Sequence, residues 1–84
     1  MKFLAAVNIM PLKEILDPQG KAVMLGLKNL GVSGLEEVRV GKHITLVVEA
    51  LSEEEAAGKV DTACRKLLAN LIMEHYEYQL TPLA

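Results

Sequence analysis

Apolar and polar residues recur along this chain with two periods, and the period switches where proline, glycine or serine interrupts it. From Lys2 to Met10 the period is two and both faces are apolar: Phe3, Ala5, Val7 and Ile9 on one, Leu4, Ala6 and Met10 on the other. That pattern predicts a strand covered from both sides. After Pro11 and a short loop, Asp17-Pro18 predicts a helix start, since Asp17 can accept from free backbone N–H groups and Pro18 suits the first turn. Val23, Leu27 and Leu30 then share one helical face, and Gly31 can end the helix in a left-handed conformation. Val38 and Val40 point one way and Glu37 and Arg39 the other, predicting a second strand that turns at Gly41-Lys42. Ile44, Leu46, Val48 and Ala50 predict the inward face of a third strand, with Thr45, Val47 and Glu49 on a mixed outer face. Ser52-Glu53-Glu54-Glu55 reads as a capping box in which Ser52 and Glu55 satisfy each other's N–H groups. The helix it opens carries Ala57, Val60, Cys64, Leu67 and Leu71 on one face, with Asn70 near its end. Glu55–Lys59 and Asp61–Arg65 are spaced as favourable pairs, each worth about 0.2–0.5 kcal/mol. A last strand, roughly Glu74 to Leu80, alternates His75, Glu77 and Gln79 with Tyr76, Tyr78 and Leu80.

The order β-α-β-β-α-β predicts an α+β fold: a two-layer sandwich with an antiparallel sheet and two helices on one face. In the ferredoxin-like version the first and third strands are central and the second and fourth are edges. The first and third runs are also the most apolar. Two helices leave one sheet face bare, that of Leu4, Ala6, Met10 and Val47, and a second copy of the chain is the simplest cover. Composition points the same way. The 84 residues read as one domain, 1–84, in which folding buries about 60% of the unfolded surface. Yet 51% of the residues are hydrophobic, more than a small monomer readily hides, which argues for a homodimer or higher oligomer.

Charge and special residues mainly exclude. A net charge of −2 leaves no electrostatic footprint for nucleic acid, and the few aromatics, Phe3, Tyr76 and Tyr78, supply no stacking platform. One cysteine, Cys64, forms no internal disulfide, which suits a reducing cytoplasm. The start Met1-Lys2-Phe3-Leu4-Ala5-Ala6-Val7 is broken by Asn8, Pro11, Lys13 and Glu14 before it resembles a complete signal peptide. No apolar run approaches the ~20 residues of a membrane span.

Catalytic chemistry is sparse. Gly20, Gly26, Gly31 and Gly34 match no phosphate-loop fingerprint, and Gly31-Val32-Ser33-Gly34 reads as a helix stop and loop. His43 and His75 stand apart, without the paired spacing of a metal site. Cys64 falls on the apolar helix face, where a thiol is inert. Glu53, Glu54 and Glu55 occupy a first helical turn, where negative charge is favourable. Acylphosphatases share the element order but need an arginine in a glycine-rich loop after the first strand. Here that loop is Pro11-Leu12-Lys13-Glu14-Ile15-Leu16. Val38-Arg39-Val40-Gly41-Lys42 stands out by contrast. Its spacing fits both a solvated cationic corner and a docking point where the Arg39 fork holds a carboxylate or carbonyls.

Three segments, Asp17-Pro18-Gln19-Gly20, Val38-Arg39-Val40-Gly41-Lys42 and Leu67-Leu68-Ala69-Asn70, occur in the order and spacing that resemble the PurS family. PurS is the small subunit of the bacterial and archaeal formylglycinamide ribonucleotide amidotransferase (phosphoribosylformylglycinamidine synthase). The resemblance spans essentially the whole chain; it departs at Leu71, where proline is common in the family. It implies a non-catalytic subunit of de novo purine biosynthesis that dimerises and brings together a glutaminase subunit and a large synthetase subunit. Ammonia released by the first is used by the second, which takes the ATP and Mg; no cofactor falls to this chain. Arg39, Gly41, Lys42, Asp17 and Asn70 become candidates for the partner interface. The other reading of the same element order is a small-molecule-binding regulatory module with its pocket at Gly31–Gly34.

Overall fold

The computed structural model describes residues 1–83. Three strands form one antiparallel sheet: β1 (Lys2–Pro11), β2 (Lys42–Glu49) and β3 (Glu74–Leu83), in the spatial order β2-β1-β3. The helices are α1 (Pro18–Asn29) and α2 (Glu53–Ala63), the latter continued by one π-helical turn, Cys64–Leu68. The architecture is α+β.

The most apolar strand is central. Its alternation sends Phe3, Ala5, Val7 and Ile9 into the core, where they are 0–3% exposed. Register places Val7 between Ile44 and Tyr78, and Ala5 between Leu46 and Leu80, so each strand contributes every second residue to one face. Helix α2 closes that face with Ala56, Val60 and Cys64, all fully buried. Burying side chains such as Ile9, Val7 and Val60 contributes about 1.5–3 kcal/mol each.

Local signals set the helix ends. Ser52 Oγ accepts from the Glu55 N–H at 3.1 Å, and the Glu55 carboxylate accepts from the Leu51 N–H at 3.3 Å, one residue earlier than a capping box predicts. The Glu55–Lys59 pair forms at 3.4 Å and the Asp61–Arg65 pair at 2.8 Å. Gly31, at φ 87°, ends α1: its N–H donates to the Lys28 carbonyl and the Val32 N–H to the Leu27 carbonyl, both at 3.0 Å. This is the Schellman arrangement.

Four expectations give way to tertiary context. Val38–Val40 forms no strand, because the Val40 N–H donates to the Asp17 carboxylate instead of to a neighbouring strand. Without that strand there is no hairpin at Gly41-Lys42, and the third apolar run, β2, lies at the sheet edge rather than in its centre. Helix α1 does not cover the sheet: Gly20 is its only buried residue, and Val23 and Leu30 are 44% and 80% exposed. The end of α2 also turns its face. The Ala69 N–H reaches the Cys64 carbonyl five residues back, at 2.9 Å, and this wider turn carries Leu68 rather than Leu67 over the core. Leu67 is left 82% exposed and Leu71 50%.

The shape follows. The radius of gyration is 16.4 Å and the extents are 51 × 29 × 15 Å, against about 12 Å for a compact chain of this length. Leu4 and Ala6 are half-buried and Val47 is 63% exposed on the sheet face opposite α2.

Asp61 ties α2 to β3. It accepts from the Tyr76 hydroxyl at 2.6 Å and from Arg65 Nε at 2.8 Å, and the Tyr76 ring stacks on Tyr78 with centroids 6.5 Å apart. The bond to Asp61, then desolvation, pushes the Tyr76 hydroxyl up to about 12. A raised phenol contributes stability that is complete below the ordinary value near 10 and lost as pH rises to about 12. Ultraviolet titration should therefore show a tyrosine ionising at about 12, and Asp61→Asn should return it toward about 10. An unchanged midpoint in that variant would show that Asp61 does not hold the hydroxyl.

Candidate interface corner

Asp17 is the pivot of the site. Its Oδ1 accepts from the Gly20 N–H at 3.0 Å, the N-cap bond, while its Oδ2 accepts from the Val40 N–H at 3.0 Å. One carboxylate thus starts α1 and fastens it to a segment 23 residues away. The Gly20 bond, the Val40 bond and the charge of Arg39 hold Asp17 below its ordinary carboxylate value. Gly20 is required by close approach: a Cβ there would run into the Val38 carbonyl and the Asp17 carboxylate. Gly41 is confined likewise, against the Ile9 carbonyl and the Met10 sulfur.

Arg39 lies alongside. Its side chain is 19% exposed, its Nε is 3.8 Å from the Glu37 carboxylate, and its Nη2 is buried with no hydrogen-bond partner. It borders a cavity of about 500 Å³ with Lys13, Lys21, Met24 and Glu36, open between the 13–17 loop, the start of α1 and residues 36–39. Leaving a guanidinium donor unmatched is costly, and an incoming carbonyl or carboxylate would relieve it if the side chain turned outward.

Lys42 and Asn70 shape the other side. Lys42 Nζ donates to the Leu68 carbonyl, left free where the helix ends, at 3.3 Å, and pairs with Glu74 at 3.6 Å. Asn70 organises the following turn: its Oδ1 accepts from the Ile72 N–H at 3.2 Å and its carbonyl from the N–H groups of Met73 and Glu74. A second cavity, of about 310 Å³, joins the two sides and is lined by Leu16, Asp17, Val40, Asn70 and Met73. Of its lining residues Leu16 and Met73 are 64% and 48% exposed, and along the chain on either side of Asn70, Leu67, Leu71 and Ile72 are 82%, 50% and 82% exposed.

All five residues singled out from the sequence, Asp17, Arg39, Gly41, Lys42 and Asn70, therefore meet at one end of the sheet. The Asp17–Val40 bond and the Leu68 carbonyl have no signature in local spacing, because each joins segments more than twenty residues apart. No group of three or more His, Cys, Asp or Glu among the described residues is placed to hold a metal ion. Cys64 is buried, and burial and then Asp61 push its thiol up, away from the reactive thiolate. The Gly31–Gly34 loop is open: nothing lies within 4 Å of where a side chain would start at either glycine, and Val32 is 43% exposed. No helix among the described residues is long and apolar enough to cross a membrane.

A family model described as "PurS: Phosphoribosylformylglycinamidine (FGAM) synthase" matches residues 4–82. The chain belongs to the PurS family. PurS is a subunit of FGAM synthase in purine biosynthesis. The PurS subunit of Synechocystis sp. is 46% identical over 69 residues, 82% of this chain and 69% of that one. The PurS structure from Methanocaldococcus jannaschii, one of the subunits of formylglycinamide ribonucleotide amidotransferase in the purine biosynthetic pathway, superposes with TM-score 0.84. It is 30% identical, over 98% of this chain and 99% of that one. PurS in the PurLQS structure from Thermotoga maritima gives TM-score 0.88 at 31% identity, over 96% of this chain and 99% of that one. The matched range, residues 4–82, runs through Asp17, Arg39, Gly41, Lys42 and Asn70.

Proposed function

We propose that this chain is a non-catalytic assembly subunit that brings the glutaminase and the ATP-dependent synthetase of FGAM synthase together, so that ammonia passes between them. The observation that carries this reading is the corner. Asp17 lines two open cavities there, one with Arg39 and one with Asn70, and exposed Leu16 borders both, while Gly41 and Lys42 hold the adjoining backbone against Ile9 and Leu68. A surface with apolar side chains around a partly buried arginine has the composition of a protein interface. Free ammonia protonates and escapes in water, so excluding solvent is useful work for a subunit with no chemistry of its own. The structure of PurLQS from Thermotoga maritima supports assembly in a relative. The ATP and Mg belong to the synthetase partner and the setting is the cytoplasm. The chain self-associates, because Leu4, Ala6 and Val47 lie on a sheet face with no layer over it.

Gel filtration of the chain mixed with the two larger subunits tests this. Co-elution of all three, with the larger two separating when the chain is omitted, is the expected result. Identical elution with and without the chain would refute the assembly role.

A further inference from the structure

The cavity of about 500 Å³ beside Arg39 carries charges that the chain leaves unmatched. Of its cations, Lys13 and Lys21 form no ion pair among the described residues. Arg39 reaches Glu37 through Nε at 3.8 Å, beyond hydrogen-bond distance, and its Nη2 is buried without a partner. Of its carboxylates, Asp17 is occupied by the Gly20 and Val40 N–H groups, while Glu14 and Glu36 form no ion pair among the described residues. Ile15, Met24 and Val38 supply apolar wall. The other cavities differ. Those at Asn70 and at Tyr78 are lined by no cation, and at Glu49 the one lysine, Lys59, is already paired with Glu55.

Charge selects the ligand. With four carboxylates against three cations, the wall has no net attraction for inorganic phosphate or a nucleotide. A simple anion would satisfy Arg39 but face Glu14 and Glu36, and a simple cation would leave the Arg39 donor unmatched. A molecule carrying a carboxylate and an ammonium side by side answers both. We infer that this cavity binds a free α-amino acid with an uncharged side chain. Its carboxylate is taken by Arg39 and Lys21, its ammonium turns to Glu36 and Glu14, and its side chain lies against Met24 and Val38. Small-molecule sites span about 300–1,000 Å³ and combine apolar wall with a few polar groups, as here. The guanidinium turns outward on binding, and exchanges the long contact to Glu37 for a fork on the carboxylate. Lys21 and Met24 belong to α1, whereas Val38 and Arg39 precede the Val40 N–H that Asp17 holds. The ligand therefore bridges the two parts that the Asp17–Val40 bond joins, and reinforces that bond. The site is independent of assembly, since the chain binds without the larger subunits.

Calorimetry of the full chain with L-leucine, L-methionine and L-glutamine tests this. At least one should bind saturably. Its deaminated acid and its decarboxylated amine should each bind about tenfold or more weakly, the loss of one charge-assisted bond. Arg39→Gln should weaken the amino acid by at least about the same factor. Amino acid added to the parent should also slow hydrogen exchange at the Val40 amide, a readout that needs no variant. Failure of all three to bind overturns the proposal. So does a deaminated acid or inorganic phosphate that binds as tightly as the amino acid, because the cavity would then be a plain anion site. Unchanged affinity in Arg39→Gln, or unchanged exchange at Val40, would place the ligand elsewhere and overturns it too. None of these results bears on co-elution with the larger subunits, which tests assembly separately.

Discussion

Truncating Ile9 to alanine is expected to cost about 2–5 kcal/mol, the largest stability loss we predict for a single substitution. Ile9 is a large, fully buried side chain on the central strand, with Lys42 and Tyr76 beside it in register and the Val60–Cys64 face of α2 over it. Neighbours on three sides belong to regular elements that cannot collapse into the space, so the lost transfer energy is joined by a cavity cost. Against a total of about 5–15 kcal/mol for an ordinary domain, such a loss is severe. Urea unfolding measures it: with a slope near 1 kcal/mol/M, the midpoint should fall by about 2 M or more. Val47→Ala, on the exposed face, is the comparison and should stay within about 0.5 kcal/mol of the parent. Equal midpoints for the two variants would mean that the core does not sit between β1 and α2.

Gly20→Ala should act on the corner and spare the sheet. The added methyl has the Val38 carbonyl on one side and the Asp17 carboxylate on the other, and the first is backbone that cannot swing aside. The start of α1 must then part from residues 38–40, breaking the Asp17–Val40 bond and moving Arg39. Since α1 buries nothing else against the sheet, the urea midpoint should move far less than for Ile9→Ala. Affinity for the larger subunits should fall about tenfold or more, equivalent to ~1.4 kcal/mol. Acid provides a second route to the same opening. The Asp17 carboxylate is held below its ordinary value, so its contribution is complete above that value and is lost as pH falls through the lower, folded one. Loss of exchange protection at the Val40 amide at low pH, suppressed in parent-like fashion only while Asp17 is ionised, reports it. A Gly20→Ala variant that binds like the parent would show that the latch has no part in assembly.

Much of this was legible in the residues. Two-residue alternation marked β1 and the inward face of β2, and Asp17-Pro18, Gly31 and Ser52 marked helix ends where the structure has them. Each depends on neighbours within four or five positions, which is why pattern reveals them. Two of the failures are long-range, and one is a local change of helical pitch. Val38-Arg39-Val40 has the alternation of a strand, but a carboxylate 23 residues back captures the Val40 N–H. Leu67 and Leu71 have helical spacing, but a single five-residue turn at Cys64 rotates them outward. Val23 and Leu30 have the spacing of a core face, yet α1 reaches no sheet. The Val38–Lys42 stretch stood out because its residue types, an arginine, a lysine and one glycine at a break in pattern, are informative without coordinates, while Asp17 and Asn70 joined it through the family resemblance. What each contacts was not. Arg39 proves half-hidden and partly unmatched, while Lys42 is occupied within the chain, on Leu68 and Glu74.

The assembly role is tested most directly by FGAM synthase turnover in the reconstituted system, measured with glutamine and with added ammonia, in the presence and absence of this chain. If the chain joins glutaminase to synthetase, glutamine-dependent turnover requires it. Gly20→Ala should then restore that turnover only at about tenfold or higher concentration than the parent chain. Glutamine-dependent turnover that is the same with and without the chain would contradict the account.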